Sequence, residues 1–372
     1  MIPVNQPLLN GREKELLIEC IDSGWISSDG PFISEFVRKF ADFIGVKHGV
    51  AVCNGTAALE AGLFAAGIVE GDEIIMPAFT IISCALAAVR LGAIPVLVDA
   101  EPDTWNMDVT QIEKRVTPKT RAIMPVHIYG HPVDMDPVLE IAERHNLIVI
   151  EDAAEVHGAE YKGRKCGSLG QLSSWSFYAN KIITTGEGGM ILTSDSRMAE
   201  RAASYRNLCF RPERRFYHTE LGQNFRMTNL QAAIGVAQMD RVEELIKRKR
   251  QIGSLYREKL ARIPGIKFQI EKSWAKHVYW MYCIELDETL KMDAKTMMEE
   301  LYKKGIGTRP FFLGLHEQPA LQRLGYFADE NYPVTYRISR SGLYLPSGLT
   351  LNEEQIDQVV SALQEVIEAN SK

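Results

Sequence analysis

Short apolar runs recur in the first half of the chain, and each ends in a polar residue before a helix-like segment begins. The runs are 50–53, 74–76, 96–98, 123–126 and 147–150. Continuous apolar runs at this spacing predict a mainly parallel sheet between helices. Ligands of such sheets gather at the carboxyl ends of the strands. The residues predicted to meet there are Asn54, His127, Asp152 and Lys181.

The pattern changes in the last third of the chain, after Ile263-Pro264-Gly265. A strand-like run at 281–286 and a final amphipathic segment from Glu353 to Ala369 predict a compact α+β unit. The sequence therefore predicts an α/β fold with a large domain, residues 1–245, and a smaller C-terminal domain, residues 246–372. A long helical pattern running toward Leu260 is expected to bridge them.

Near the N-terminus, residues 12–23 predict an amphipathic helix. Its apolar positions are Leu16, Leu17, Cys20 and Ile21, which fall on one helical face.

The charge balance argues against a nucleic-acid or anionic membrane partner. The 42 Lys and Arg residues against 48 Asp and Glu residues give a net charge of −6, so no general basic field exists. A basic tract, Lys247–Arg250, lies within the long helical pattern without an aromatic or glycine-rich platform beside it. We interpret it as the solvated face of a helix.

The six cysteines are scattered singly with no CxxC spacing. This pattern argues against a disulfide framework or a metal site and suits a reducing compartment. The sequence also has no signal-peptide pattern at Met1–Gln6 and no apolar run of membrane-spanning length. We expect a cytoplasmic protein.

One lysine stands out for its surroundings. The strand-like run Ser173–Tyr178 leads to Lys181, and Ile182, Ile183 and a glycine cluster follow. A partly desolvated amine has a lowered pKa, as a Schiff-base lysine requires. A strand-end lysine whose amine reaches solvent is the alternative. Asp152, at the end of a buried strand, favours the first reading, since a carboxylate there would pair with the pyridinium nitrogen of pyridoxal phosphate.

A phosphate site is the third part of this prediction. Asn54-Gly55-Thr56-Ala57 follows the first apolar run and opens a helix, where free amides and a close backbone approach suit an anion. It is neither a Walker loop nor a GxGxxG motif. A Gly-Thr turn that only caps a helix is the alternative, so phosphate binding depends on Asp152 and Lys181 lying nearby.

Together these segments resemble the sugar-nucleotide aminotransferases of the DegT/DnrJ/EryC1/StrS family, which are fold type I pyridoxal-phosphate enzymes. The resemblance extends over nearly the whole chain. It rests on Asn54-Gly55-Thr56, Glu151–Glu155, Gly167–Gly170, Ser176-Phe177 with Lys181, Thr185–Gly189 and Gly222–Met227.

The resemblance implies a role for each cofactor residue. Lys181 would bind the cofactor covalently, Asp152 would pair with the ring nitrogen, and Glu155 would lie near the ring hydroxyl. The phosphate would be held by Gly55, Thr56, Ala57 and Ser176. Asn224 would reach the phosphate from the neighbouring subunit, which implies a homodimer with shared active sites. Many members have an aromatic residue where this chain has Ile81, so ring stacking there is not implied.

The resemblance further implies a nucleotide-linked 4-keto-6-deoxy sugar as the substrate, aminated at C4, with glutamate as the amino donor. GDP-4-keto-6-deoxymannose is the first candidate, and a UDP- or dTDP-linked keto sugar is the alternative. Candidate substrate-binding residues are Trp25, Ser27, Arg309 and His316. An equally good interpretation of Arg309 is a surface arginine at a strand end.

Two other activities compete with transamination. A pyridoxal-phosphate lyase or decarboxylase shares the cofactor chemistry, and a non-catalytic binding protein shares the scaffold. Related dehydratases carry histidine where this chain has Lys181. The lysine therefore favours transamination over dehydration and counts against a non-catalytic protein.

Overall fold

The computed structural model describes residues 1–211, 213, 214 and 216–370. The helices are α1 Glu13–Ser23, α2 Pro31–Ile44, α3 Gly55–Ala65, α4 Ser83–Arg90, α5 Ile112–Arg115, α6 Met135–His145, α7 Ser196–Tyr205, α8 Asn229–Met239, α9 Val242–Leu260, α10 Ala294–Lys303, α11 Pro319–Gln322, α12 Pro333–Ser341 and α13 Glu353–Asn370. The strands are β1 His48–Val52, β2 Glu73–Pro77, β3 Ile94–Val98, β4 Thr120–Ile123, β5 Ile148–Asp152, β6 Glu160–Tyr161, β7 Arg164–Lys165, β8 Leu172–Ser176, β9 Gly189–Thr193, β10 Ile266–Phe268, β11 Ala275–Lys276, β12 Tyr282–Leu286, β13 Arg309–Pro310 and β14 Gly342–Leu345.

The central sheet has the strand order β1-β9-β8-β5-β4-β2-β3. The pairs from β8 through β3 are parallel, and β9 runs antiparallel between β1 and β8. Every residue of β8 and of β9 is buried, as expected for strands covered on both faces. The predicted α/β class with a mainly parallel sheet is confirmed.

Register places the candidate residues on one edge of this sheet. Asp152, the last residue of β5, pairs with Ser174 of β8. The carboxyl end of β1 leads directly into Asn54 and the start of α3. Because these strands end on the same side, a ligand site can form across their ends.

The C-terminal part has its own sheet and core. β10, β12, β14 and β13 form an antiparallel sheet in that order. A separate apolar cluster combines residues from α9, α10 and α13 with this sheet. Ile2 joins that cluster and pairs with Ile306, so the N-terminal segment is attached to the C-terminal unit. The predicted boundary near residue 246 falls inside α9 and stays a prediction.

The basic tract on α9 is solvated only in part: Lys247 is exposed, as interpreted, but the interpretation is wrong for Lys249. Its side chain is buried, and its amine donates to the Ser347 carbonyl. Arg248 donates to the Leu351 carbonyl and Arg250 to the His277 carbonyl. The sequence pattern gave the wrong interpretation because it does not distinguish a Lys or Arg that donates to buried carbonyls from one that is exposed to solvent.

Helix α1 agrees only in part with its predicted apolar face. Leu16 and Cys20 are buried, but Ile21 is 65% exposed and Ile18 is also exposed. The helix therefore presents apolar side chains on its outer side as well as on the core side. Among the described residues, no helix combines the length and the apolar character needed to cross a membrane.

Candidate active site

A cavity of about 340 Å³ opens at the carboxyl ends of β1, β5 and β8. Six of the predicted cofactor residues line it: Gly55, Thr56, Asp152, Glu155, Ser176 and Lys181. Residues more than a hundred positions apart in the chain thus share one cavity, as the parallel strand pattern predicted.

Asp152 enters the cavity from the end of β5 and is buried. Its Oδ1 accepts the Ala154 N–H at 3.1 Å, and its Oδ2 accepts the Cys84 thiol at 3.1 Å. Within the described residues it has no cation within 4.0 Å. A buried carboxylate held only by neutral donors is costly, and a cationic ring nitrogen in the cavity would relieve that cost.

Lys181 and Glu155 form a close buried pair. The Lys181 Nζ lies 3.8 Å from the Glu155 Oε1, and the Lys181 side chain is only 9% exposed. Burial lowers the pKa of Lys181 and raises the pKa of Glu155 to about 7. The Tyr129 N–H fixes the other Glu155 oxygen at 2.6 Å. Because burial disfavours both charges, the uncharged amine and the protonated carboxyl both become easier to form than in water.

The start of α3 forms an anion cradle with Ser176. The Asn54 side chain caps the helix by accepting the Ala57 N–H at 2.8 Å. The first amides of a helix have no intrahelical partner, and the helix dipole favours an anion there. A Cβ on Gly55 would lie 2.8 Å from the Ser176 Cβ, so glycine lets the two elements approach. Gly55 and Thr56 are the better amide donors, since the Ala57 amide is already used.

The cavity fits pyridoxal phosphate. An amine, a carboxylate and an anion cradle are the groups that this cofactor requires. Two further polar atoms that line the cavity, Ser174 Oγ and Asn180 Oδ1, are buried with no hydrogen-bond partner among the described residues. Ile81 lines it as well.

His127 lies beside Asp152 at the strand ends, as predicted, and its N–H donates to the Asp152 carbonyl at 3.3 Å, but its side chain does not line the cavity. Its Nε2 lies 3.0 Å from the Glu151 Oε2, with both side chains fully buried. Successive residues of a strand point to opposite faces, so Glu151 and Asp152 face opposite ways. Glu151 instead accepts amides from Gly167, Leu169 and Gly170.

The predicted substrate residues are not brought together within one chain. Trp25 and Ser27 lie outside the cavity, and their carbonyls accept hydrogen bonds from Asn229. His316 is buried against the Tyr332 ring, and burial lowers its pKa. Gly314 leaves space for the His316 ring, because a Cβ there would lie 2.6 Å from the His316 Cε1. Contact of these three residues with a substrate stays a prediction.

Asn224 is exposed and accepts a hydrogen bond from Arg226 at 2.9 Å. It does not line the cavity of its own chain. Its predicted action in a neighbouring subunit is untested by one chain and stays a prediction.

A larger groove of about 1150 Å³ adjoins the cavity. Tyr178, Asn180 and Tyr344 line both spaces, and Arg309 lines the groove. The Arg309 guanidinium donates to the Thr308 carbonyl at 2.9 Å. Within the described part of the chain it has no carboxylate within 4.0 Å.

Sequence reasoning missed the residues that the C-terminal unit supplies to the cavity: Trp280, Phe312 and Tyr344. The Trp280 ring centre lies 3.7 Å from the Lys181 Nζ. No spacing rule links a tryptophan to a lysine 99 positions earlier. Asn180, in contrast, stood next to Lys181 in the sequence.

Comparison with known proteins gives matches over nearly the whole chain. A sequence model described as the DegT/DnrJ/EryC1/StrS aminotransferase family matches residues 7–364. A GDP-perosamine synthase of Caulobacter vibrioides is 45% identical over 367 residues, covering 98% of each chain. EpsN of Bacillus subtilis, provisionally named a pyridoxal phosphate-dependent aminotransferase, is 32% identical and covers 97% of this chain and 95% of its own. The crystal structure of DesI with its TDP-sugar product superposes with a TM-score of 0.90 at 32% identity, covering 100% of this chain and 93% of DesI.

Proposed function

Because the chain belongs to the DegT/DnrJ/EryC1/StrS aminotransferase family, whose members use pyridoxal phosphate, we propose that it aminates C4 of a nucleotide-linked 4-keto-6-deoxy sugar. The proposed substrate is GDP-4-keto-6-deoxymannose, and the product is GDP-perosamine. The observation that carries this choice is the 45% identity, over 98% of both chains, to a GDP-perosamine synthase.

The residues of the cavity have separate tasks in this proposal. When bound, pyridoxal phosphate supplies an electron sink for the carbon that loses its proton. The Gly55 and Thr56 amides and the Ser176 hydroxyl bind its phosphate. The Asp152 carboxylate keeps a proton on the ring nitrogen.

Lys181 and Glu155 handle protons. The Lys181 amine would hold the cofactor covalently and, once released from it, would take a proton from one carbon atom and return it to another, for which the amine must be uncharged. Burial lowers the Lys181 pKa, and the Glu155 carboxyl beside it, with a pKa raised to about 7, holds a proton near neutral pH. The proposed amino donor is glutamate.

The groove beside Arg309 is the proposed site of the nucleotide diphosphate. It opens from the cavity at Tyr178 and Asn180. A guanidinium with no carboxylate partner suits a diphosphate, because its planar donors bind phosphate oxygens in pairs. Trp25, Ser27 and His316 remain candidates for contact with the sugar or with the neighbouring subunit.

The proposed assembly is a homodimer in which Asn224 of each chain reaches the phosphate of the other. Apolar side chains are exposed on and after α1, at Ile18, Ile21, Trp25 and Ile26. Several exposed apolar side chains within nine positions of the chain are consistent with a protein interface, and a two-fold contact would give two equivalent sites. This support is separate from the family relationship.

The proposed compartment is the cytoplasm. The cysteines lack the paired spacing of a disulfide framework, which suits a reducing environment.

A UDP- or dTDP-linked keto sugar is the second candidate, favoured by the likeness to DesI, which was solved with a TDP-sugar product. A lyase or a non-catalytic protein has less support, because the family relationship is to aminotransferases.

A half-reaction separates these substrates. The enzyme is first converted to its amino form with glutamate, and GDP-, UDP- and dTDP-linked 4-keto-6-deoxy sugars are then supplied at equal concentration. We expect the GDP sugar to restore the starting absorption spectrum fastest, by about tenfold or more in kcat/KM, equivalent to about 1.4 kcal/mol. A preference for a pyrimidine nucleotide would overturn the GDP assignment and keep the aminotransferase. No response to glutamate or to any sugar would contradict the proposed function itself.

A further inference from the structure

Trp280 covers the Lys181 amine from the side of the C-terminal unit. It lies two residues before β12, whereas Lys181 follows β8 of the central sheet. The Trp280 side chain is buried, and its ring centre lies 3.7 Å from the Lys181 Nζ. The amine is therefore enclosed between Glu155 on one side and an indole ring on another.

The same indole also holds the backbone that carries the lysine. The Trp280 Nε1–H donates to the Asn180 carbonyl at 3.0 Å. That carbonyl belongs to the peptide bond that joins Asn180 to Lys181. The Lys181 N–H in turn donates to the Tyr178 carbonyl at 2.9 Å. Both sides of this peptide plane are thus fixed by hydrogen bonds.

The N-terminal segment adds a second donor to the same carbonyl. The Asn5 Nδ2–H donates to the Asn180 carbonyl at 3.3 Å. The segment is held in place where the Ser347 N–H donates to the Val4 carbonyl at 2.9 Å. Two distant parts of the chain therefore converge on one peptide oxygen next to Lys181.

We propose that Trp280 is a positioning residue for Lys181, with its N–H fixing the Asn180–Lys181 peptide, helped by Asn5, and with its ring excluding water from the amine. A lysine stem has four rotatable carbons and much rotamer freedom. The fixed Asn180–Lys181 peptide and the indole ring on one side restrict the lysine to rotamers from which its amine can react. Small displacements of a reacting group cost large factors in rate, about a hundredfold per ångström.

The two contacts of the indole have separable effects. Losing the N–H loosens the peptide but leaves an apolar ring over the amine. Losing the ring admits water, which removes the main cause of the lowered Lys181 pKa, so the pKa should rise toward its ordinary value of 10.5. The opposing loss of the cation–π contact is smaller than the desolvation effect at a buried site.

The test uses the full-length protein without its cofactor and the variants Trp280→Phe, Trp280→Leu and Asn5→Ala. Trp274→Phe is the matched control, because Trp274 packs on Tyr161 and His131 and does not line the cavity. One measurement is the pH dependence of Lys181 acetylation, read by peptide mass spectrometry. The other is the rate at which pyridoxal phosphate is captured at Lys181, trapped by borohydride.

We expect Trp280→Phe to capture the cofactor about tenfold more slowly with the same acetylation pKa, and Asn5→Ala to be slowed about threefold. Trp280→Leu should also raise the acetylation pKa by a unit or more. Capture by Trp280→Phe within twofold of wild type, or an equal loss in Trp274→Phe, would overturn the proposal. If Trp280→Leu fails to fold, the capture rates of Trp280→Phe and Asn5→Ala decide. Neither measurement needs the sugar or the amino donor, so a wrong substrate assignment leaves the result interpretable.

Discussion

At the scale of single residues, the chemistry of the cavity depends on how burial changes the Lys181 amine and the Glu155 carboxyl group. Lys181, Asp152 and Glu155 are all buried at the ends of neighbouring strands. Exclusion of water disfavours charge, so burial lowers the pKa of Lys181 and raises the pKa of Glu155 to about 7. Perturbed groups collected in one cavity are typical of an active site.

The replacement Lys181→Ala should leave a folded protein that does not turn over, because no other amine among the described residues lines the cavity. Pyridoxal phosphate should still bind without a covalent bond, through Asp152 and the amides at Gly55 and Thr56. Borohydride reduction and peptide mapping of the wild type should place the label on Lys181.

A suitable control for that experiment is Lys165→Ala. The Lys165 amine is also partly buried, but it contacts the Phe43 carbonyl and ring, outside the cavity. It should keep full turnover and the label on Lys181. Label on another lysine in the wild type would remove Lys181 from its assigned role.

Glu155 gives a prediction about pH and stability in the cofactor-free protein. Its folded pKa of about 7 lies above its ordinary value of 4.5 because the carboxyl is buried. When folding raises the pKa of an acid, the stability that the acid contributes is fully present at pH values below its pKa in the unfolded protein. That stability is lost as the pH rises through its pKa in the folded protein. We therefore expect the free energy of unfolding of the wild type, relative to that of Glu155→Gln, to fall by up to about 3 kcal/mol as the pH rises from about 4.5 to about 7.

The measurement is denaturant unfolding of the cofactor-free wild type and Glu155→Gln across that pH range. The exposed Glu200→Gln on α7 serves as the control and should follow the wild-type profile. Parallel profiles for wild type and Glu155→Gln would mean that Glu155 ionises normally, and its assigned proton-holding role would then be wrong.

At the scale of secondary-structure elements, the start of α3 decides where the anion binds. Asn54 caps the helix through the Ala57 amide, and Gly55 permits contact with Ser176 of β8. A helix start pressed against a strand end is a common way to hold phosphate. This contact between the start of α3 and β8 depends on the absence of a side chain at Gly55.

The variant Gly55→Ala should weaken pyridoxal phosphate binding by about tenfold or more, since its Cβ would lie 2.8 Å from Ser176 and push the cradle apart. The dissociation constant of the cofactor-free protein, measured by fluorescence titration, reports this directly. Gly11→Ala is the matched control, because its Cβ would meet only side-chain atoms of Arg241 and Glu13, at 3.1 Å or more, and Gly11 does not line the cavity. Equal affinities in the two variants would contradict the assigned role of the cradle.

Helix α9 shows how an element can be recognised and yet be misread. Its length and amphipathic pattern were visible in the sequence, but the role of its basic tract was not. The tract ties the helix to carbonyls of the C-terminal unit, and burial lowers the pKa of Lys249 to about 7. Only the packing of two distant segments reveals which cations are buried.

At the scale of the whole molecule, the proposed dimer predicts complementation between two inactive variants. Lys181→Ala lacks the reactive amine, and Asn224→Ala lacks the residue proposed to cross the interface. A mixed dimer would contain one site with both residues intact. After subunit exchange of an equal mixture, half of the dimers are mixed, so about a quarter of wild-type activity should return.

Activity of the mixture, with exchange verified by native mass spectrometry, is the measurement. Mixing Lys181→Ala with Asp152→Ala is the matched control, because both losses fall in the same site of a chain. That mixture should recover nothing, since each site receives either an altered Lys181 or an altered Asp152. No recovery in the first mixture after verified exchange would indicate sites built within one chain.

The amino-acid sequence was enough to predict the strand pattern of the central sheet, the chemistry expected at the carboxyl ends of its strands, and the family. Apolar runs are local, and a parallel sheet forces their carboxyl ends onto one side, so Asp152, Lys181 and the start of α3 could be placed together without coordinates. The motifs around them are contiguous in the chain, which is why the cofactor residues could be named one by one.

Tertiary structure alone decided which neighbours complete the site. Trp280, Tyr344 and Asn5 come from distant segments and reach Asn180 and Lys181 only through packing between the C-terminal unit and the central sheet. The same packing turned His127 toward Glu151 and buried Lys249. Burial and side-chain direction depend on contacts far apart in the chain, whereas periodicity and motif spacing are properties of the chain itself.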